Sequence, residues 1–123
     1  MKVPMNWINN MLGRHRWREV SLYFCCNLCG RMVSAPLSKL TREDQSCQCG
    51  STVRQRALIH VLSVELFGKS LSLPDFPRRP DIVGIDMSGA ATYVNRLKKK
   101  LGFTNTFLHK DPKLDITNPE PAS

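Results

Sequence analysis

The 123-residue chain has room for one ordinary domain or two very small ones, and a hydrophobic content of 41% excludes wholesale disorder. Eighteen Lys and Arg against ten acidic residues give a formal charge of +8, which permits nucleic acid, anionic cofactors or acidic surfaces as partners. The cations are dispersed from Lys2 to Lys113, the pattern of a solvated surface rather than a binding stripe. No segment approaches the roughly 18 apolar residues of a membrane span. Met1–Arg18 lacks the long apolar run and small-residue cleavage site of a signal peptide, so a cytoplasmic protein without a membrane partner is expected.

In chain order, Val3–Leu12 is a short, weakly amphipathic stretch with helical character. Glu19–Cys25 is β-branched and aromatic and reads as a strand leading into the first cysteines. Arg31–Leu40 reads as a second short strand and turn broken at Pro36, and Thr41–Ser46 as a polar loop. Ser51 is a candidate N-cap for a helix over Thr52–Phe67, with Val53, Ala57, Leu58, Val61, Leu62 and Leu66 as its apolar positions and Gly68 as its stop. Leu71–Pro80 contains three prolines and is expected to be an extended linker.

The pattern then changes. Asp81–Met87 has the mostly apolar run of a strand buried on both faces. Ser88–Ala91 is a small-residue turn. A helix is expected over Ala91–Leu101, with Val94, Leu97 and Leu101 on one face and Gly102 as its cap, followed by a strand over Thr104–Leu108. The sum is a mixed α/β chain: an N-terminal segment 1–67 with a zinc ribbon at about 19–50 and a following helix, a Pro-rich linker 68–80, and a βαβ unit over 81–123.

The cysteines carry the strongest chemical signal. Cys26-Asn-Leu-Cys29-Gly30 is a two-residue-gap pair closed by glycine, and seventeen residues intervene before Cys47-Gln-Cys49-Gly50. Two close pairs, without a secretion signal, indicate metal binding rather than disulfides. Four thiolates make the closed tetrahedral set of structural zinc, with no open position for water. The second pair has a one-residue gap, less regular than a standard knuckle, and the adjacent Cys25 is an alternative ligand to Cys26.

Other polar residues read more plainly. His60 and His15 are packed or surface histidines, and His109 lacks any nucleophile beside it. Arg54 and Arg56 diverge by roughly 200° on a helix and read as separate surface or ion-pairing residues. Trp7 and Trp17 read as packing residues.

From Cys49-Gly50-Ser51-Thr52-Val53-Arg54-Gln55-Arg56-Ala57 onward, the sequence resembles bacterial class I S-adenosylmethionine-dependent methyltransferase-like proteins that carry an N-terminal cysteine-pair module. Leu73-Pro74-Asp75-Phe76-Pro77, Val83-Gly84-Ile85-Asp86-Met87-Ser88, Thr104-Asn105-Thr106-Phe107-Leu108-His109 and Leu114-Asp115-Ile116-Thr117 continue the resemblance in order. It implies a cofactor-binding turn at Gly84–Gly89, with Gly84, Asp86, Ser88 and Gly89 near the amino-acid end of S-adenosylmethionine. It also implies Asp111 at the ribose and Asp115 at the adenine. Relatives tend to have glycine where this chain has Asp86, whose carboxylate repels or attracts the cofactor according to which of its groups it faces.

The resemblance implies that 81–123 is a partial Rossmann-like βαβ unit, the first of a methyltransferase domain with a wider sheet, of which this sequence carries the first two strands. The expectation is therefore a truncated or split methyltransferase-like protein with no catalytic residues of its own. It would bind S-adenosylmethionine weakly at most and need a protein partner or self-association to cover the incomplete sheet. The alternative is a basic zinc-ribbon module that binds nucleic acid or a protein partner.

Overall fold

The computed structural model describes residues 20–115 and 117. The helix expected over Val3–Leu12 falls outside them, as do Glu19, Trp7, Trp17 and His15. Among the described residues the elements are β1 (Ser21–Cys25), β2 (Met32–Pro36), α1 (Val53–Phe67), β3 (Arg79–Met87), α2 (Ala91–Lys98) and β4 (Leu101–Thr106). They form a small mixed α/β structure with two two-stranded sheets, β1–β2 antiparallel and β3–β4 parallel.

The hairpin register runs from Ser21 opposite Pro36 to Cys25 opposite Met32. At its tip the Cys26 N–H donates to Arg31 O (2.8 Å) and the Gly30 N–H to Cys26 O (2.7 Å), winding the first cysteine pair into a tight loop. Gly30 has φ of +80°, a left-handed conformation that costs little only for glycine.

Helix α1 confirms the predicted span and the Gly68 stop, which adopts φ of +75°. Its N-cap is Thr52, not Ser51. Thr52 accepts from the Gln55 N–H (3.2 Å) while its own N–H donates to Gln55 Oε1 (3.3 Å), a capping box that was readable as Thr-x-x-Gln.

The predicted apolar face of α1 is also corrected. Leu62 and Leu66 pack against the core beside the fully buried Ile59 and Ser63. Val53, Leu58 and Val61, predicted to face inward, point outward, with Leu58 46% and Val61 57% exposed. The helix carries apolar residues around most of its circumference, so periodicity alone left its orientation ambiguous. The orientation follows from Ser63, whose hydroxyl donates to Lys69 O (2.6 Å) and accepts from the Leu71 N–H (2.7 Å). Those bonds pin the chain reversal after Gly68, so a polar residue occupies the buried arc at no unpaired cost.

The proline-rich stretch is not a free spacer. Leu73 and Phe76, around a short 3-10 turn at Leu73–Asp75, are buried at 1% and 2% exposure. The Leu73 N–H donates to Asn27 O (2.7 Å), and the Phe76 ring meets Phe67 edge-on at 5.1 Å. One core contains Cys26 and Leu28 of the cysteine loop, Ile59 of α1, Leu73 and Phe76, and Val94, Leu97 and Leu101.

Strand β3 begins at Arg79, earlier than predicted, with a register irregularity before Val83 that accommodates Pro80. Helix α2 ends at Lys98, shorter than predicted. Gly102 and Leu101 belong to β4, which ends at Thr106 rather than Leu108. A Cβ on Gly102 would lie 2.6 Å from Pro80 O, so this glycine serves strand pairing, not helix capping.

Burial of β3 on both faces is likewise corrected. Helix α2 covers one face, while Val83, Ile85 and Met87 are 77%, 63% and 52% exposed on the other. The described residues place no layer over them.

Candidate functional site

The two cysteine loops converge. The sulfur atoms of Cys26, Cys29, Cys47 and Cys49 all lie within 4.8 Å of one another. Cys26 Sγ stands 3.7 Å from Cys49 Sγ, and Cys29 Sγ stands 3.6 Å from Cys47 Sγ. A tetrahedral metal with bonds of ~2.3 Å to sulfur needs sulfur–sulfur edges of about 3.8 Å. A disulfide needs ~2.05 Å, and all five cysteines are free thiols. The set is therefore positioned to hold a metal ion, and its geometry and donor type suit zinc.

The one-residue gap of the second pair closes because Gly50 turns back, its N–H donating to Cys47 O (2.9 Å) with φ of +90°. The ligand alternative at Cys25 is settled. Cys25 lies on the exposed side of β1, its sulfur 3.7 Å from Gly30 O and 3.8 Å from Ser72 Oγ, outside the cluster.

The thiols are electrostatically unequal. Burial pushes Cys26 up, but hydrogen bonding from Ser51 and from the Cys29 and Leu28 backbone outweighs it and holds the thiol at about 6. Burial raises Cys29. Burial, and then the neighbouring cysteines, push Cys47 up to about 12. Four sulfurs packed this closely resist full ionisation without a cation between them, and a divalent metal relieves that conflict by displacing the protons.

Behind the cluster lies a support that sequence reasoning missed. Arg56 was read as a surface residue. Its guanidinium instead turns inward and donates to Ser51 Oγ (2.8 Å), Ser51 O (3.1 Å) and Ser46 Oγ (2.6 Å). Its carbon centre lies 4.6 Å above the Phe24 ring. Because Ser51 Oγ accepts from Arg56, its own hydrogen is free to point at Cys26 Sγ, 3.3 Å away. A positive charge thus stands two hydrogen bonds, through Ser51, behind the sulfur of Cys26. Arg54, two residues earlier, is exposed and pairs with Glu43 at 3.3 Å, as a surface residue was expected to. His60 is no ligand; its Nδ1 lies 2.7 Å from Ser70 Oγ on the exposed side of α1.

At the carboxyl ends of β3 and β4 stands a second constellation. Asp86 accepts from Tyr93 Oη (2.5 Å) and from the Met87 N–H (2.8 Å). Burial, and then the Asp86 carboxylate, push the Tyr93 phenol up to about 12. Ser88 follows with φ of +54°, a conformation uncommon outside glycine, and its N–H donates to Thr106 O (2.7 Å). Asn105 clamps the turn, accepting from the Gly89 N–H (2.8 Å) and donating to Gly89 O (3.1 Å).

Asp86, Ser88 and Tyr93 line one cleft of about 700 Å³ with Arg54, Gln55 and Met87. Gly89 instead borders a hollow of about 540 Å³ with Asn105, Phe107 and Pro112. Gly84 lies mid-strand against Phe103 and borders neither space. Asp111 and Asp115 are exposed and line neither one. The Asp115 carboxylate is held below its usual range by the Thr117 hydroxyl and N–H. Of the six predicted cofactor residues, the structure thus gathers Asp86 and Ser88 around one cleft.

Compared with known proteins, the chain matches no family model, no curated protein and no solved structure. The fold and site define a small mixed α/β chain built on a four-cysteine centre positioned to bind a metal. No helix among the described residues is long and apolar enough to cross a membrane.

Proposed function

We propose that this chain carries the cofactor-facing βαβ unit of a class I S-adenosylmethionine-dependent methyltransferase-like protein, with the four cysteines holding structural zinc beside it. The observation that carries the reading is the β3–α2 turn. Two parallel strands are joined through a helix, and the turn that leaves the carboxyl end of β3 opens on a cleft, the kind of position where open α/β sheets bind ligands. There the Ser88 backbone is left-handed and Asn105 fixes Gly89 from both sides, so the turn is held before any ligand arrives.

The side chains around that cleft suit a zwitterion. Asp86 offers a carboxylate to an ammonium group, and Arg54, held to Glu43 through one terminal nitrogen, keeps its other donors for a carboxylate. S-adenosylmethionine supplies an activated methyl group when bound, and these residues would orient its amino-acid end. Gly89 belongs to packing instead, since a Cβ there would strike Asp86, Tyr93 and Val94.

Methyl transfer is not assigned to these residues alone. The exposed Val83, Ile85 and Met87 face supports a reading in which further structure, from a partner or a second copy, packs on the sheet. The test is an amide NMR titration of the zinc-loaded chain with S-adenosylhomocysteine. Saturable shifts confined to Asp86–Ala90 and Asn105, lost in Asp86→Ala, are expected. An unperturbed turn at millimolar ligand would sink the assignment.

A further inference from the structure

We propose that the face formed by the first cysteine loop and helix α2 is a sequence-independent binding surface for the phosphodiester backbone of nucleic acid. Arg31 and Arg96, remote in sequence, border one cleft of about 390 Å³ together with Cys29, Gln48 and Cys49. Arg96 is shared with an adjoining hollow of about 200 Å³ bordered by Lys99, Lys100, Leu28, Leu73 and Pro74. Four cations therefore follow one continuous surface, which joins Lys99 and Lys100 of the Lys98–Lys100 cluster to Arg96 and the distant Arg31.

Three features set this surface apart from ordinary solvated charge. No Asp or Glu lines either space. The ion pairs among the described residues involve Arg42, Arg54 and Arg79, so Arg31, Arg96 and Lys99 have no acidic partner there. Arg96 is also preset: its Nε–H donates to Thr92 O (3.1 Å), which orients the guanidinium and leaves both terminal nitrogens for a ligand. A planar, oriented guanidinium matches the paired oxygens of a phosphate.

The lining also says how the ligand is read. It contains no aromatic side chain, so bases have nothing to stack on. Contacts to the backbone position a nucleic acid without reading its sequence. A divalent metal on four thiolates leaves two net negative charges; Arg56 offsets one from the interior side, so the four cations of this surface exceed what the centre needs.

This surface shares no residue with the strand-end cleft, so it stands or falls independently of cofactor binding. The experiment is fluorescence anisotropy of the zinc-loaded full chain with a labelled duplex and with a labelled single strand of mixed sequence, over a range of salt. Binding is expected to fall with salt at about 0.9 per neutralised phosphate on logarithmic axes for the duplex. The double variant Arg31→Gln/Arg96→Gln should lower that slope by about 2 and weaken binding at least about tenfold, with zinc content unchanged. Lys99→Glu, at the exposed end of α2, should weaken it also and does not depend on the double variant folding. Arg42→Gln/Arg79→Gln, which removes the same charge elsewhere, should do markedly less. Equal losses in that control, no binding by the native chain at low salt, or zinc loss in Arg31→Gln/Arg96→Gln would each overturn the proposal.

Discussion

The cysteine ribbon and the β3–β4 sheet are alike in size but opposite in how they close. In the ribbon, two tight loops turn their sulfurs inward, Arg56 and Ser51 close the interior side, and Leu28 is fully buried beside them. In the sheet, α2 seals one face with Val94 and Leu97, while Val83, Ile85 and Met87 stand in solvent on the other. A hairpin too short to make its own core closes by gathering ligands around a point. A parallel pair closes only when both faces are covered. The difference predicts where substitutions will be felt.

The largest effect is expected at the metal ligands. Cys29→Ser or Cys47→Ser should reduce bound zinc from about one ion per chain to near zero and abolish the cooperative unfolding of the ribbon, read by metal analysis and calorimetry. A chain that keeps the same melting profile without metal would break the comparison at its stronger end. Next comes Arg56→Met, which keeps the length of the stem and removes three hydrogen bonds to Ser51 and Ser46. A loss of about 2–3 kcal/mol is expected from the partly buried partners left unpaired, with zinc affinity down roughly 10–100-fold. Arg54→Met should change neither quantity appreciably, since its pair with Glu43 is exposed.

Much of this was legible in the sequence, and the misses share a cause. The four ligands, the glycines after each pair, α1 and the strand–helix–strand order all follow from local spacing, which the chain writes out directly. What failed depends on contacts distant in sequence. The inward side of α1 is set by Ser63 bonding to Lys69 and Leu71 rather than by hydrophobicity. Arg56 turns inward because Phe24, Ser46 and Ser51 meet there. Gly102 looks like a helix cap until Pro80 of the neighbouring strand comes against it. Asn105 has no local signal of its own, and its clamp on Gly89 exists only once β4 lies beside β3. In the same way, Arg31 and Arg96 border one cleft only after folding, which their separation in the sequence does not show.

A smaller effect is expected at the sheet's sealed side. Tyr93→Phe removes one hydrogen bond to Asp86 and should cost about 1 kcal/mol near neutral pH. The pH dependence has a defined sign. The folded phenol is raised to about 12 above its ordinary 10, so the folded chain holds this proton more tightly than the unfolded one. Its contribution is complete below about pH 10 and is lost as pH rises through about 12. Chemical denaturation across that range should show the native chain losing stability faster than Tyr93→Phe. Parallel curves would mean that Asp86 does not hold the phenol in solution.

The smallest effect is expected on the open face, and it sharpens the comparison most. Ile85→Thr keeps a β-branched residue on β3 where the side chain is 63% exposed. In an isolated chain it should change stability by no more than about 0.5 kcal/mol. Ile59→Ala, at a fully buried position on α1, should cost about 2–5 kcal/mol. The informative measurement is how the Ile85→Thr effect varies with protein concentration. If two copies cover their sheets against each other, stability of the native chain rises with concentration and Ile85→Thr removes that rise. A flat dependence for both chains would leave the face bare under those conditions. The sheet would then differ from the ribbon in kind, being closed on one side by its own residues and on the other only by whatever packs against Val83, Ile85 and Met87.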